Sequence, residues 1–254
     1  MTTCQINHNL ANVRIVLVGA QHPGNIGGVA RAMKVMGLTE LWLVAPKKAL
    51  DEEAEARASG ASDVLASARY ADTLTEAVAE CTLVVGTSAR ERRTAWPLDD
   101  PRDAAERLLP KAAEAPVAVV FGCERSGLDN ESLDRCQRHM RIPTNPAYSS
   151  LNLSAAVQVV VYELRMAARQ TTEDGTVTTG RPPATSAEME GLFEHLEATL
   201  HTAGFFKPNR SGALMRRVRR LFNRAAPDSS EVNLLRGGLR ALTNAVRGRG
   251  DPPL

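Results

Sequence analysis

The chain has 254 residues, 43% of them hydrophobic and 24% charged, a globular composition that excludes a disordered or fibrous protein and leaves room for a large domain plus a smaller one. The net charge is only +2, but positions 205–250 hold eleven basic residues against two acidic ones, so the rest of the chain is net acidic. Such an asymmetry aims a basic patch at a polyanion, while aromatics at 4% leave little for base stacking.

In chain order, residues 13–19 (VRIVLVG) are a β-branched apolar run ending in glycine and read as a buried strand. A Gly- and Pro-rich turn over 20–28 leads into a helix over 29–37, with Gly37 as its C-terminal stop. Residues 41–45 (LWLVA) form the next strand. The alternation continues with helix 72–80, strand 83–86, helix 101–114, strand 117–122, a short helix 130–137, a short strand 140–143 and a long helix over 152–170. Strands that are apolar throughout and alternate with helices predict an α/β domain over 1–170, a mostly parallel sheet flanked by helices. Residues 171–184 are polar, contain glycine and two adjacent prolines, and read as a linker. Thr185-Ser-Ala-Glu188 is a capping box that opens a helix whose apolar face carries Leu192, Phe193, Leu196 and Leu200. Helices over 212–223 and 231–246 follow, the last weakened by Gly237-Gly238. Residues 185–254 therefore form a small basic helical domain.

The four cysteines make no C-x-x-C pair and the histidines have no zinc-type spacing, so no metal is expected. The polar N-terminus lacks the apolar stretch of a signal peptide, and no apolar run reaches membrane-spanning length. The expected location is the cytoplasm, with no membrane partner.

The turn after the first strand invites two nucleotide-binding readings, and both fail. A dinucleotide fingerprint needs G-x-G-x-x-G, but Gly19-Ala-Gln-His-Pro-Gly24-Asn-Ile-Gly27-Gly28 lacks the first G-x-G. A P-loop needs Lys and Ser/Thr after the second glycine, where Asn25 and Ile26 stand. Three other segments carry more polarity than packing requires. In Asn25-Ile-Gly-Gly-Val-Ala-Arg31, Asn25 is a candidate helix cap, Gly27-Gly28 permits close approach of a backbone or ligand, and Arg31 near the positive end of the helix would welcome an anion. Alone, this segment reads equally as an exposed arginine on a helix face. Phe121-Gly-Cys-Glu-Arg-Ser-Gly127-Leu follows a buried strand at the edge where parallel sheets bind ligands, though taken alone it reads first as a plain βα turn. Residues 142–154 (IPTNPAYSSLNLS) form a long polar loop ahead of an almost wholly apolar helix, which suits a small polar ligand beside a core or subunit interface.

Together and in this order, NIGGVAR at 25–31, VVFGCERSGL at 119–128 and IPTNPAYSSLNLSAAV at 142–157 resemble the SPOUT RNA methyltransferases, in particular the TrmH-like 2′-O-methyltransferases of the TrmJ type. The resemblance covers most of residues 13–170, and the basic helical tail suits it. It implies a SPOUT fold whose C-terminal part threads a trefoil knot, against the usual absence of knots. It implies S-adenosylmethionine as cofactor, held by Thr87, Ser88, Ala89, Gly122, Ile142, Ser149, Ser150 and Leu151. It implies a homodimer, and 2′-O-methylation of the cytidine or uridine ribose at position 32 of the tRNA anticodon loop. Arg31 would be the activating residue, stabilising developing alkoxide charge or holding the adjacent phosphate, because a guanidinium is a poor proton acceptor. Asn25, Glu124 and Asn152 would orient the ribose or fix Arg31. Lys207, Arg210, Arg216, Arg217, Arg219 and Arg220 would meet tRNA phosphates, which position a substrate without reading its sequence. Other readings are a related enzyme acting on ribosomal RNA or another tRNA position, and a non-catalytic RNA-binding protein.

Overall fold

The computed structural model describes residues 9–88, 98–174, 183–206 and 211–247. Strands β1 (Val13–Val18), β2 (Leu41–Val44), β3 (Arg69–Ala71), β4 (Leu83–Thr87), β5 (Leu98–Asp99), β6 (Val117–Phe121) and β7 (Arg138–Met140) form one sheet in the order β3-β2-β1-β6-β4-β7-β5. Every pairing in it is parallel. The apolar strands at its centre alternate their side chains between two cores. Ile15, Leu17, Val85 and Val119 join one core with α1 (Pro23–Met36), α5 (Pro101–Ala112) and α7 (Leu153–Asp174). Val16, Val84, Ala118 and Val120 join the other with α4 (Leu74–Val78) and α6 (Asn130–Asp134). Burial on both faces is why these strands show no polar alternation. Late strands insert between earlier ones: β6 lies between β1 and β4, and β7 between β4 and β5. This brings the C-terminal ends of β4, β6 and β7 side by side.

Two local expectations are corrected. The glycine-rich stretch is not a turn. Helix α1 already begins at Pro23, whose missing N–H costs nothing in the first turn, and ends on Gly37 at φ 83°. Its N-cap residue is His22, whose side chain makes no cap bond, so Asn25 lies inside the first turn and caps nothing. Arg31 consequently sits beyond the second helical turn, past the reach of the helix dipole. The second correction concerns 52–71, where α2 (Glu52–Ala58), α3 (Ser62–Ala66) and β3 are additional elements. Their short spans carry no long period, although Asp51 caps α2 by accepting from the N–H groups of Glu53 and Ala54, both at 3.1 Å.

The chain divides into two compact units, residues 1–180 and 181–254. Helix α7 runs to Asp174, into the stretch read as linker, of which 175–182 lie outside the described residues. In the second unit, α8 (Ser186–Thr202), α9 (Ser211–Ala225) and α10 (Ser229–Arg247) enclose a small core of Met189, Leu192, Phe193, Met215 and Val232. The capping box is formed, with Thr185 and Glu188 bonding each other's backbone N–H. Helix α10 continues through Gly237-Gly238, so the propensity loss there is outweighed by packing elsewhere along its length.

Candidate active site

The C-terminal end of β4 and the loops after β6 and β7 line a cavity of about 310 Å³. Thr87, Ser88, Gly122, Ile142, Ser149, Ser150 and Leu151, all expected at the cofactor, line it, whereas Ala89 lies outside the described residues. Its volume falls in the range of small-molecule sites, and apolar walls from Leu128, Met140, Ile142 and Leu153 face hydroxyls from Thr87, Thr144, Ser149 and Ser150. An aromatic base beside a polar sugar and amino acid fits that lining. Gly122 has a different reason to be glycine. A Cβ there would fall 2.1 Å from the carbonyl carbon of Gly127 and the nitrogen of Leu128, so it lets the 122–128 loop close on itself.

Glu124 projects from that loop and ties three segments together. Its carboxylate accepts from the backbone N–H of Gln21 at 3.1 Å and of His22 at 3.3 Å, and from the Asn25 amide at 2.8 Å. Burial pushes the Glu124 carboxyl up, but the Asn25 amide and the backbone N–H groups together outweigh it and hold the carboxyl below its ordinary value. Glu124 is therefore an ionised anchor at neutral pH. Asn25 passes the chain on, its Oδ1 accepting from Asn152 Nδ2 at 2.9 Å. Asn152 in turn accepts from the backbone N–H of Ser154 at 2.9 Å and its hydroxyl at 2.7 Å, which fixes the start of α7.

This polar chain is a partition. On its far side lies a second, open groove of about 710 Å³, lined by Asn25, Arg31, Asn152 and Ser154 together with His22, Arg57 and Gln158. Arg31 reaches into it from α1. Among the described residues its guanidinium has no hydrogen bond or ion pair. The four residues expected at the reacting centre thus meet at one wall between two cavities. Arg57 was not legible, because it belongs to a helix the sequence did not disclose.

Residues 12–162 match the model of the SpoU rRNA Methylase family. The chain belongs to the SpoU methylase family. Residues 187–251 further match the C-terminal domain of the tRNA methyltransferase TrmJ. A curated SpoU relative from Salmonella typhimurium, tRNA (cytidine/uridine-2′-O-)-methyltransferase TrmJ, is 50% identical over 242 residues, which cover 94% of this chain and 100% of the relative. The crystal structure of TrmJ from Z. mobilis ZM4 superposes with a TM-score of 0.78 at 37% identity, covering 90% of this chain and 98% of that one. A structure described as giving insight into 2-OH methylation of C/U34 on tRNA has a TM-score of 0.51 at 25% identity, over 62% of this chain and 97% of its own.

In the second unit of this SpoU protein, the basic residues separate by environment. Arg216 and Arg217 are exposed on α9 and Arg220 is half-buried. Arg219 is committed internally: its guanidinium grips both carboxylate oxygens of Glu190 and lies 4.5 Å over the Phe193 ring. It locks α9 to α8 and has little left for RNA. Lys207 and Arg210 lie outside the described residues.

Proposed function

We propose that the protein is an S-adenosylmethionine-dependent tRNA methyltransferase that modifies the ribose 2′-hydroxyl of cytidine or uridine at position 32 of the anticodon loop. The observation that carries this reading is the shared wall: a cofactor-sized pocket and a cationic groove lie on opposite sides of the Glu124–Asn25–Asn152 chain. Family membership and the similarity to TrmJ relatives support the substrate class.

S-adenosylmethionine, when bound, supplies an electrophilic methyl on a sulfonium whose departing thioether is neutral, so no acid need protonate a leaving group. Thr87, Ser88, Gly122, Ile142, Ser149, Ser150 and Leu151 would hold it. The remaining work is alignment of a weakly acidic hydroxyl, which can supply much of the acceleration. Asn25 and Asn152 present fixed amides at the wall. Arg31 stands beside them as a cation, unpaired among the described residues, that stabilises charge developing on the 2′-oxygen or holds the neighbouring phosphate. The proton passes to phosphate or water, since a guanidinium takes none.

Exposed α9 arginines supply phosphate contacts for a tRNA body. A homodimer is supported by α1 and α7, which leave Val35 at 67%, Val159 at 36% and Tyr162 at 47% exposure. The insertion of β7 between β4 and β5 supports the expected knot. Among the described residues no helix is long and apolar enough to cross a membrane, and no His, Cys, Asp or Glu group could hold a metal. A tRNA substrate supports a cytoplasmic site of action.

The test is to incubate the purified protein with unmodified tRNA and methyl-labelled cofactor, then map the product by nuclease digestion and mass spectrometry. A 2′-O-methyl at pyrimidine 32 is expected. A methyl at position 34, on ribosomal RNA only, or nowhere would refute the proposal. Arg31→Ala should lower turnover by about a hundredfold or more while cofactor affinity is kept.

A further inference from the structure

The cationic groove contains a second guanidinium that the mechanism above leaves unused. Arg57 stands on the last turn of α2, exposed, and lines the same groove as Arg31. Like Arg31, it has no hydrogen bond or ion pair among the described residues, although Glu53 stands one turn earlier on the same helix.

Close packing at the glycines of α1 places both arginines on one groove. A Cβ on Gly27 would fall 2.1 Å from the Ala54 carbonyl oxygen, and one on Gly24 would fall 2.5 Å from Glu53 Oε1. The missing side chain at Gly27 lets α2 lie backbone to backbone on α1, while the Glu53 side chain lies over Gly24. Ala54 is fully buried in that contact, and Arg57, three residues later, is delivered to the groove rim. Gly28 gives α7 similar access, since a Cβ there would meet the Ser154 side chain at 2.9 Å. Close packing at Gly27 and Gly28 therefore assembles the groove from three helices, with Gly24 and Gly28 on its lining.

Two guanidinium groups in one concave site, neither paired among the described residues, repel each other unless an anion lies between or along them. Glu53, folded against Gly24, is the acidic side chain on the lining, and His22, Asn25, Asn152 and Gln158 are further polar side chains there. A guanidinium is the group suited to bidentate phosphate recognition. We infer that Arg57 holds a backbone phosphate of the RNA strand next to the one at Arg31, so that the groove grips consecutive phosphates flanking the reacting ribose. This rests on the function proposed above. Arg57 is thus a substrate-positioning residue: it fixes the strand through the phosphate farther from the reacting oxygen, while Arg31 holds the one beside that oxygen.

The test compares full-length wild type, Arg57→Ala and Arg57→Lys in tRNA methylation kinetics, in tRNA binding over a range of salt, and in cofactor binding. Arg57→Ala should raise KM for tRNA about tenfold or more with kcat within a few-fold, and reduce the slope of log affinity against log salt by about one. Arg57→Lys keeps a point charge, so it should restore the salt slope and part of KM. Cofactor affinity should be unchanged in both, which also reports that the variants are folded. Unchanged KM and salt slope in Arg57→Ala, with wild type active, would overturn this inference alone. Weakened cofactor binding with normal tRNA binding would also overturn it, by assigning the guanidinium to the cofactor carboxylate. A wild type that methylates no tRNA would overturn the proposed function, and this inference with it.

Discussion

Replacing Asn25 with aspartate inverts one contact of the wall and leaves the other intact. The amide that donates to Glu124 at 2.8 Å becomes a carboxylate oxygen, while the atom accepting from Asn152 is retained. Two unit charges about 3 Å apart repel by about 5 kcal/mol at an effective dielectric of about 20. Both groups are partly open to solvent, and screening keeps about a third of that, about 2 kcal/mol. This repulsion raises the pKa of one of the two carboxyls above the ordinary carboxylate range. In the folded variant that pKa is raised, so the variant is penalised above the ordinary carboxylate range and relieved as pH falls through the new value. Once protonated, the pair regains a donor toward Glu124 and the wall is rebuilt. Methylation rates of Asn25→Asp, each divided by the wild-type rate at the same pH, should therefore rise about tenfold between pH 8 and pH 5.5. Asn25→Ala loses both bonds, costing about 2 kcal/mol for the one to a charged group, and its ratio should stay flat with pH. A flat ratio for Asn25→Asp as well would refute the claim that Asn25 acts through an ionised Glu124.

Other outcomes follow from packing and exposure. Gly27→Ala forces its methyl into the Ala54 carbonyl and should cost about 3 kcal/mol, seen as a Tm lowered by several degrees. Gly237→Ala meets nothing within 4 Å in the middle of α10 and should stabilise the second unit by about 0.5–1 kcal/mol in the same measurement. The Cys123 thiol is held below its ordinary value by the Ser126 hydroxyl and lines the cofactor pocket, whereas burial pushes Cys81 and Cys136 up to about 12. In a Cys4→Ser background, iodoacetamide should label Cys123 first, and S-adenosylmethionine should slow the labelling; mass spectrometry reads both. Arg216→Gln with Arg217→Gln should lower the salt slope of tRNA binding by about two at unchanged Tm. Arg219→Gln removes the two-pronged bond to Glu190 and the contact over the Phe193 ring, and should cost about 2 kcal/mol of the second unit's stability.

What the sequence disclosed, and what it hid, divides along the range of the interactions involved. Runs such as VRIVLV and VAVVF declare buried parallel strands because each face of the sheet meets a core of its own. The capping box at Thr185 is legible because it is closed within four residues. Strand β5 has two residues and a partner in β7 about forty positions away, so no local period announces it. The three polar segments stood out by composition, but their junction did not, since Glu124 meets Gln21, His22 and Asn25 across about a hundred residues. The glycines mark the limit most clearly. From the sequence, Gly27-Gly28 admits either a ligand or a backbone, and nothing local separates the two. The fold places the Ala54 backbone there, and with it Arg57. Of the two readings left open, the fold realises the backbone one at Gly27, which seats α2, while Gly28 makes room for Ser154 at the start of α7; Arg57 reaches the groove from a helix that no motif contained.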